Sequence, residues 1–80
     1  MQLPTMICTK CAGRSQVRTT DEALRLIDDD LPAELRTLPR WTFARDLMVA
    51  AARSNKKRDL TTAIRQFKQA LSSEGWLADA

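Results

Sequence analysis

No histidine and no tyrosine occur among the 80 residues. Those absences remove the side chain that titrates near neutrality, the commonest metal ligand and the usual activator of a catalytic serine or cysteine, so hydrolytic triads as normally built are excluded. Aromatic side chains and glycine are scarce as well, at two Trp, two Phe and two Gly. The longest apolar runs are short, such as Leu47 to Ala52, against the roughly 20 residues that a membrane helix needs. Met1 to Lys10 carry no basic segment leading into an apolar stretch, so they do not read as a signal peptide, and the expected compartment is the cytoplasm with no membrane partner. There the two cysteines are expected to stay reduced.

What is present fits a single small domain spanning residues 1–80: 44% hydrophobic residues, 29% charged and a net charge of +3. A chain this short buries only about 60–65% of the surface it exposes when unfolded, so its core is thin and most regular apolar positions are committed to packing. Neither catalytic residues nor a cofactor are expected, because the sequence holds the parts of a fold and lacks the parts of a reaction.

The chain divides near residue 20. Thr5-Met6-Ile7-Cys8-Thr9 and Gln16-Val17-Arg18-Thr19 are rich in strand-forming types and flank the turn chemistry of Ala12-Gly13-Arg14-Ser15, which predicts an antiparallel hairpin over about 5–20. Gly13 suits the positive φ of a tight hairpin turn, and Pro4 is expected to limit the first strand at its start. Thr19 and Glu22 stand at capping-box spacing before a first helix over about 20–30, with Ala23, Leu24, Ile27 and Leu31 on one face. Pro32 stops that helix, and Pro32 to Leu38 read as a linker.

Pro39 suits the first turn of a second helix over about 39–54, whose stripe is Ala44, Leu47, Met48 and Ala51. Asp59 is expected to cap a third over about 59–74, carrying Leu60, Ala63, Ile64, Phe67, Ala70 and Leu71. Gly75 is the expected left-handed stop, with Trp76 folding back as its apolar contact. The fold class is therefore α+β, with an N-terminal two-stranded antiparallel β-hairpin followed by three α-helices in the order β-β-α-α-α.

This order resembles the bacterial domain of unknown function 982 family. The likeness rests on the short hairpin, the Thr-capped helix with Glu22-Ala23-Leu24, the Leu31-Pro32 stop, the Ala-rich middle helix, and a last helix with Phe67, Ala70 and Glu74-Gly75. It covers roughly residues 5 to 77, implies a small α+β fold and implies no activity.

Four features carry possible chemistry. Cys8 and Cys11 have the spacing of half a zinc site, but a structural site needs four ligands, so only a symmetric dimer sharing one metal completes it. The plainer reading is two small apolar strand residues pointing to opposite faces. Charge is uneven: residues 1–35 hold four basic and six acidic side chains, residues 36–80 nine and four, giving −2 and +5. Arg53, Lys56, Lys57 and Arg58 concentrate the positive half between the second and third helices, and Arg65 and Lys68 continue it. The two helices there invite a helix-turn-helix reading, against a solvated basic corner. Asp28-Asp29-Asp30 lack the loop glycine and spaced oxygens of a calcium motif, and read as a solvated helix stop. Trp41, beside Arg40 and Arg45, is a candidate partner surface, since Trp and Arg are enriched at binding hot spots; Phe43 and Phe67 read as core.

These residues point first to a non-enzymatic interaction module acting through a protein partner or through self-association as a homo-oligomer. The alternative is a weak nucleic-acid-binding domain using the loop Arg53 to Arg58. A zinc-bridged dimer through Cys8 and Cys11 is more remote.

Overall fold

The computed structural model describes residues 2–10 and 16–77. Strand β1 (Gln2–Cys8) buries Leu3 and Ile7, with Thr9 just beyond it, and exposes Gln2, Pro4, Met6 and Lys10. That is the period of two of a half-buried strand. Strand β2 (Gln16–Thr19) lies antiparallel to it, with Ile7 opposite Val17 and Cys8 opposite Gln16.

The next aligned pair is Gln2 with Thr19, so the four residues Leu3 to Met6 cover the stretch that Arg18 alone covers on the partner strand. Pro4 sits in this irregular stretch, inside the strand rather than at its start. A proline has no N–H to give to a ladder, and the register departs around it. The strand consequently begins earlier than the predicted residue 5. The predicted turn, Ala12 to Ser15, lies outside the described residues, as does Cys11. Thr9 also forms an isolated antiparallel bridge with Leu77, and the Lys10 N–H donates to the Trp76 carbonyl at 2.6 Å. The segment after the last helix thereby closes onto the sheet.

Helix α1 (Thr20–Arg25) starts as its capping residues predict: the Glu22 N–H donates to Thr19 Oγ1 at 3.1 Å. Glu22 in return accepts from the Arg18 N–H at 2.8 Å, one residue before the usual partner in a capping box. The chain then widens into a π-helical turn over Leu26–Asp30, in which the Leu31 N–H donates to the Leu26 carbonyl at 3.0 Å. Leu26 and Ile27 are both buried, three and four residues after buried Ala23 on one helical face. Leu26 is a core residue that the stripe of Ala23, Leu24, Ile27 and Leu31 leaves out, although it stands at the i+3 position from Ala23.

Pro32 ends the turn, but the predicted linker contains a further short helix, α2 (Ala33–Arg36). The described residues therefore hold four α-helices and not three. Helix α3 (Pro39–Ser54) has the predicted bounds. Helix α4 runs Lys57–Ser73 and begins two residues before Asp59, so Asp59 is not its N-cap. The Asp59 carboxylate instead accepts from Ser54 Oγ at 2.7 Å across the connection.

α3 and α4 lie antiparallel. Ser54 meets Asp59 at one end, and Arg40 meets Glu74 at the other, so the two helices are held together over their whole length. Their buried stripes are Trp41, Ala44, Met48 and Ala51 on α3, and Leu60, Ala63, Phe67, Ala70 and Leu71 on α4. Trp41 meets Phe67 edge-on at 6.1 Å between ring centres. The sheet residues Leu3, Ile7 and Val17 join α1 and both long helices in one core. Among the described residues no helix is long and apolar enough to cross a membrane.

The end of α4 forms as predicted. Gly75 has φ +73, its N–H donates to the Ser72 carbonyl at 3.0 Å, and the Trp76 N–H donates to Leu71 at 2.9 Å. Those are the paired bonds of a Schellman stop, with half-buried Trp76 packed on the core. A methyl group at Gly75 would meet nothing within 4 Å, so Gly75→Ala is expected to cost about 1–2 kcal/mol from the left-handed backbone alone. Thermal unfolding followed by circular dichroism checks this, and Gly75→Asn should recover part of the loss.

Candidate functional site

The positive half of the sequence converges on the corner where α3 passes into α4. Asn55 takes a left-handed conformation, φ 60 and ψ 25, with its N–H bonded to the Ala51 carbonyl at 2.9 Å. Asparagine tolerates that region. Lys56 is extended and its N–H donates to Ser54 Oγ at 3.2 Å. The reversal is thus made in two residues, which leaves Arg53, Lys56, Lys57 and Arg58 together and exposed.

The negative end of α3 and the positive end of α4 meet here, so the two helix dipoles largely cancel. The corner's field is that of its side chains. Lys56 to Ser73 contain five cations and a single acid, Asp59, which Ser54 already engages.

The cations continue along α4. At 100° and 1.5 Å per residue, Lys57, Arg58, Thr61, Arg65 and Lys68 fall within about 100° of arc on the side turned away from the core stripe. Lys57 to Arg65 covers about 12 Å of helix axis, and Lys57 to Lys68 about 16 Å. Arg65 is exposed and Lys68 half-buried. Beside this row, Gln2 and Pro4 of β1 and Lys57, Leu60 and Thr61 of α4 line an open groove of about 360 Å³.

Arg40, Trp41 and Arg45 do not share one exposed surface. Trp41 is fully buried in the core, and its Nε1–H donates to Glu74 Oε2 at 3.2 Å. Arg40 donates to the same oxygen at 2.7 Å from Nη2 and 3.1 Å from Nε. Arg45 leaves α3 on another flank and donates to Asp28 Oδ1 at 2.9 Å. Five residues apart on a helix are about 140° apart, which separates the two arginines. The stripe itself carries the signal: Trp41 precedes Ala44 by three and Met48 by seven, both core spacings. Phe43 falls outside that stripe and is 54% exposed, contrary to the expectation that it is core.

Glu74 is the polar residue that sequence reasoning misses. Its carboxylate is held below the ordinary glutamate range, mainly by the hydrogen bond from Arg40; partial burial opposes this, and the Trp41 hydrogen bond and the Arg40 charge assist it. No local pattern could reveal it, since its partners lie 33 and 34 residues away.

The helix-turn-helix reading also fails on geometry. That motif crosses its two helices at a steep angle, whereas α3 and α4 are tied at both ends as an antiparallel pair. Asp28, Asp29 and Asp30 wrap the π-helical turn, where Asp28 pairs with Arg45 and its carbonyl accepts from Arg36 at 2.7 Å. Cys8 is half-buried on the strand face opposite Ile7. Among the described residues no group of three His, Cys, Asp or Glu is placed to hold a metal ion.

Compared with protein-family models, with curated proteins and with solved structures, the chain matches none.

Proposed function

We propose that this protein is a small non-enzymatic interaction module, and that it engages its partner through the basic corner between α3 and α4. The observation that carries this reading is the contrast among its arginines and lysines. Arg40 and Arg45 are consumed by Glu74 and Asp28. Arg53, Lys56, Lys57 and Arg58 stand exposed at one corner, with Asp59 as the single acid between Arg53 and Ser73 in the sequence, so four cations face one carboxylate. An excess of charge of one sign attracts a partner of the other sign and accelerates encounter with it.

Retention on a heparin column, a generic polyanion, tests where that surface lies. The variant Lys56→Ala/Lys57→Ala/Arg58→Ala is expected to elute at markedly lower salt than the parent protein. A control with three exposed cations removed elsewhere, Lys10→Ala/Arg18→Ala/Arg25→Ala, has the same net charge and should elute later than the corner variant. Equal shifts for the two variants would mean that retention follows net charge and that the corner is no special surface.

A further inference from the structure

We infer that the partner of the basic corner is the phosphate backbone of a nucleic-acid duplex, bound without regard to base sequence along the exposed face of α4. The inference rests on the proposed interaction role and adds the chemistry of the partner.

Three observations favour it. The first is linear order. Lys57, Arg65 and Lys68 follow one face of α4 over about 16 Å, with Thr61 between them and Arg53, Lys56 and Arg58 flanking the near end. A duplex strand presents a phosphate about every 3.4 Å of axis, so this span faces about five phosphates, as many as the cations Lys56, Lys57, Arg58, Arg65 and Lys68 together. The second is the lack of an apolar centre. A stable protein interface needs buried aromatic or aliphatic anchors inside a polar rim. The described exposed large hydrophobics are Met6 on β1 and Phe43 on α3, and neither belongs to the α4 row. The third is the lack of an aromatic on that row. Single-strand binders stack bases on aromatic side chains, whereas the residues here are ammonium, guanidinium and hydroxyl groups suited to phosphate oxygens.

Contacts of this type release counterions, and each neutralised phosphate steepens the dependence of log K on log salt by about 0.9. About five contacts give a slope near −4.5, which weakens binding about 500-fold between 50 and 200 mM salt. Fluorescence anisotropy of the whole protein with labelled mixed-sequence 16-base-pair DNA and RNA duplexes, and with the corresponding single strands, tests this. Duplex binding with that slope is expected, with two unrelated sequences bound equally. Comparison of the two duplex arms identifies whether DNA or RNA is the better source of phosphate.

Lys56→Ala/Lys57→Ala/Arg58→Ala should flatten the slope by about 2.7, and Arg65→Ala/Lys68→Ala by about 1.8. The control Lys10→Ala/Arg18→Ala/Arg25→Ala should leave it near its parent value. Circular dichroism confirms that each variant is folded. No duplex binding at 50 mM salt, tighter binding of single strands, or slopes indifferent to the α4 variants would overturn the inference. If heparin retention still depends on the corner while duplexes do not bind, the interaction surface stands and its partner is an acidic protein; if both tests fail, both readings fall.

Discussion

Trp41→Ala is expected to lower the stability of the fold by about 4 kcal/mol. A domain of 80 residues has a total stability of about 4–12 kcal/mol, so the variant loses between about a third and all of it. The cost arises from three losses at one position. Trp41 is completely buried between α3 and α4, its ring meets Phe67 edge-on, and its indole N–H is bonded to Glu74. Removing the ring leaves a large cavity in a thin core with little able to collapse into it. Phe43→Ala, two positions further on, should change stability by no more than about 0.5 kcal/mol, because more than half of that side chain is in water. Thermal and urea unfolding of the two variants make the comparison. A mild effect at Trp41 together with a severe one at Phe43 would mean that α3 is rotated from the phase described.

Glu74 is the second sensitive position. Its side chain is only 14% exposed and accepts from Arg40 twice and from Trp41 once, all at Oε2. Glu74→Ala leaves the buried indole N–H without an acceptor, which together with the lost charged hydrogen bond costs about 2–3 kcal/mol. The Arg40 side chain is more than a third exposed, so water and salt screen its share of that figure. Glu74→Gln keeps a neutral acceptor and should cost about half as much.

The two variants differ from the parent in pH dependence as well. The folded protein holds Glu74 below its ordinary value, so the folded state binds fewer protons than the unfolded state in that range. Its contribution is therefore complete above the ordinary glutamate value and is lost as pH falls through the lowered folded value. Urea midpoints measured from pH 7 down to pH 2 should fall less steeply with acid in Glu74→Gln than in the parent. Parallel profiles would show that the Arg40 bond does not set the acid limb.

The parts of this fold that were readable from sequence are those fixed by neighbours. The α4 stripe from Leu60 to Leu71, the Thr19 cap and the Gly75 stop each depend on residues within one or two turns, and each stands where that spacing places it. The order of two paired antiparallel strands and then helices also holds, with one helix more than the three expected. The departures come from interactions that local patterns do not encode. Asp59 has the chemistry of a cap, but Ser54, five residues earlier, engages its carboxylate after the chain has reversed. The π-helical turn over Leu26–Asp30, in which the Leu31 N–H reaches back to the Leu26 carbonyl, ends the regular helix at Arg25, five residues before the sequence places its end. Pro4 reads as a strand limit, yet a register irregularity accommodates it within β1. Both Arg40 and Arg45 look free in sequence, and each is paired with an acid on a distant element.

The same pairings sharpened the candidate site. Sequence offers two charged surfaces, one around Trp41 and one around Arg53 to Arg58, with little to choose between them. Folding buries the centre of the first and neutralises its flanks. The second is left exposed and is extended by Arg65 and Lys68 along α4.

Amide chemical-shift mapping tests this assignment most directly. The whole protein, labelled with nitrogen-15, is titrated at low salt with the 16-base-pair duplex. Shifts are expected to concentrate on Arg53 to Lys68, strongest at Lys56, Lys57, Arg58 and Arg65, and to vanish at high salt. Shifts centred on Phe43 or Met6, or an unchanged spectrum at saturating duplex, would contradict the account.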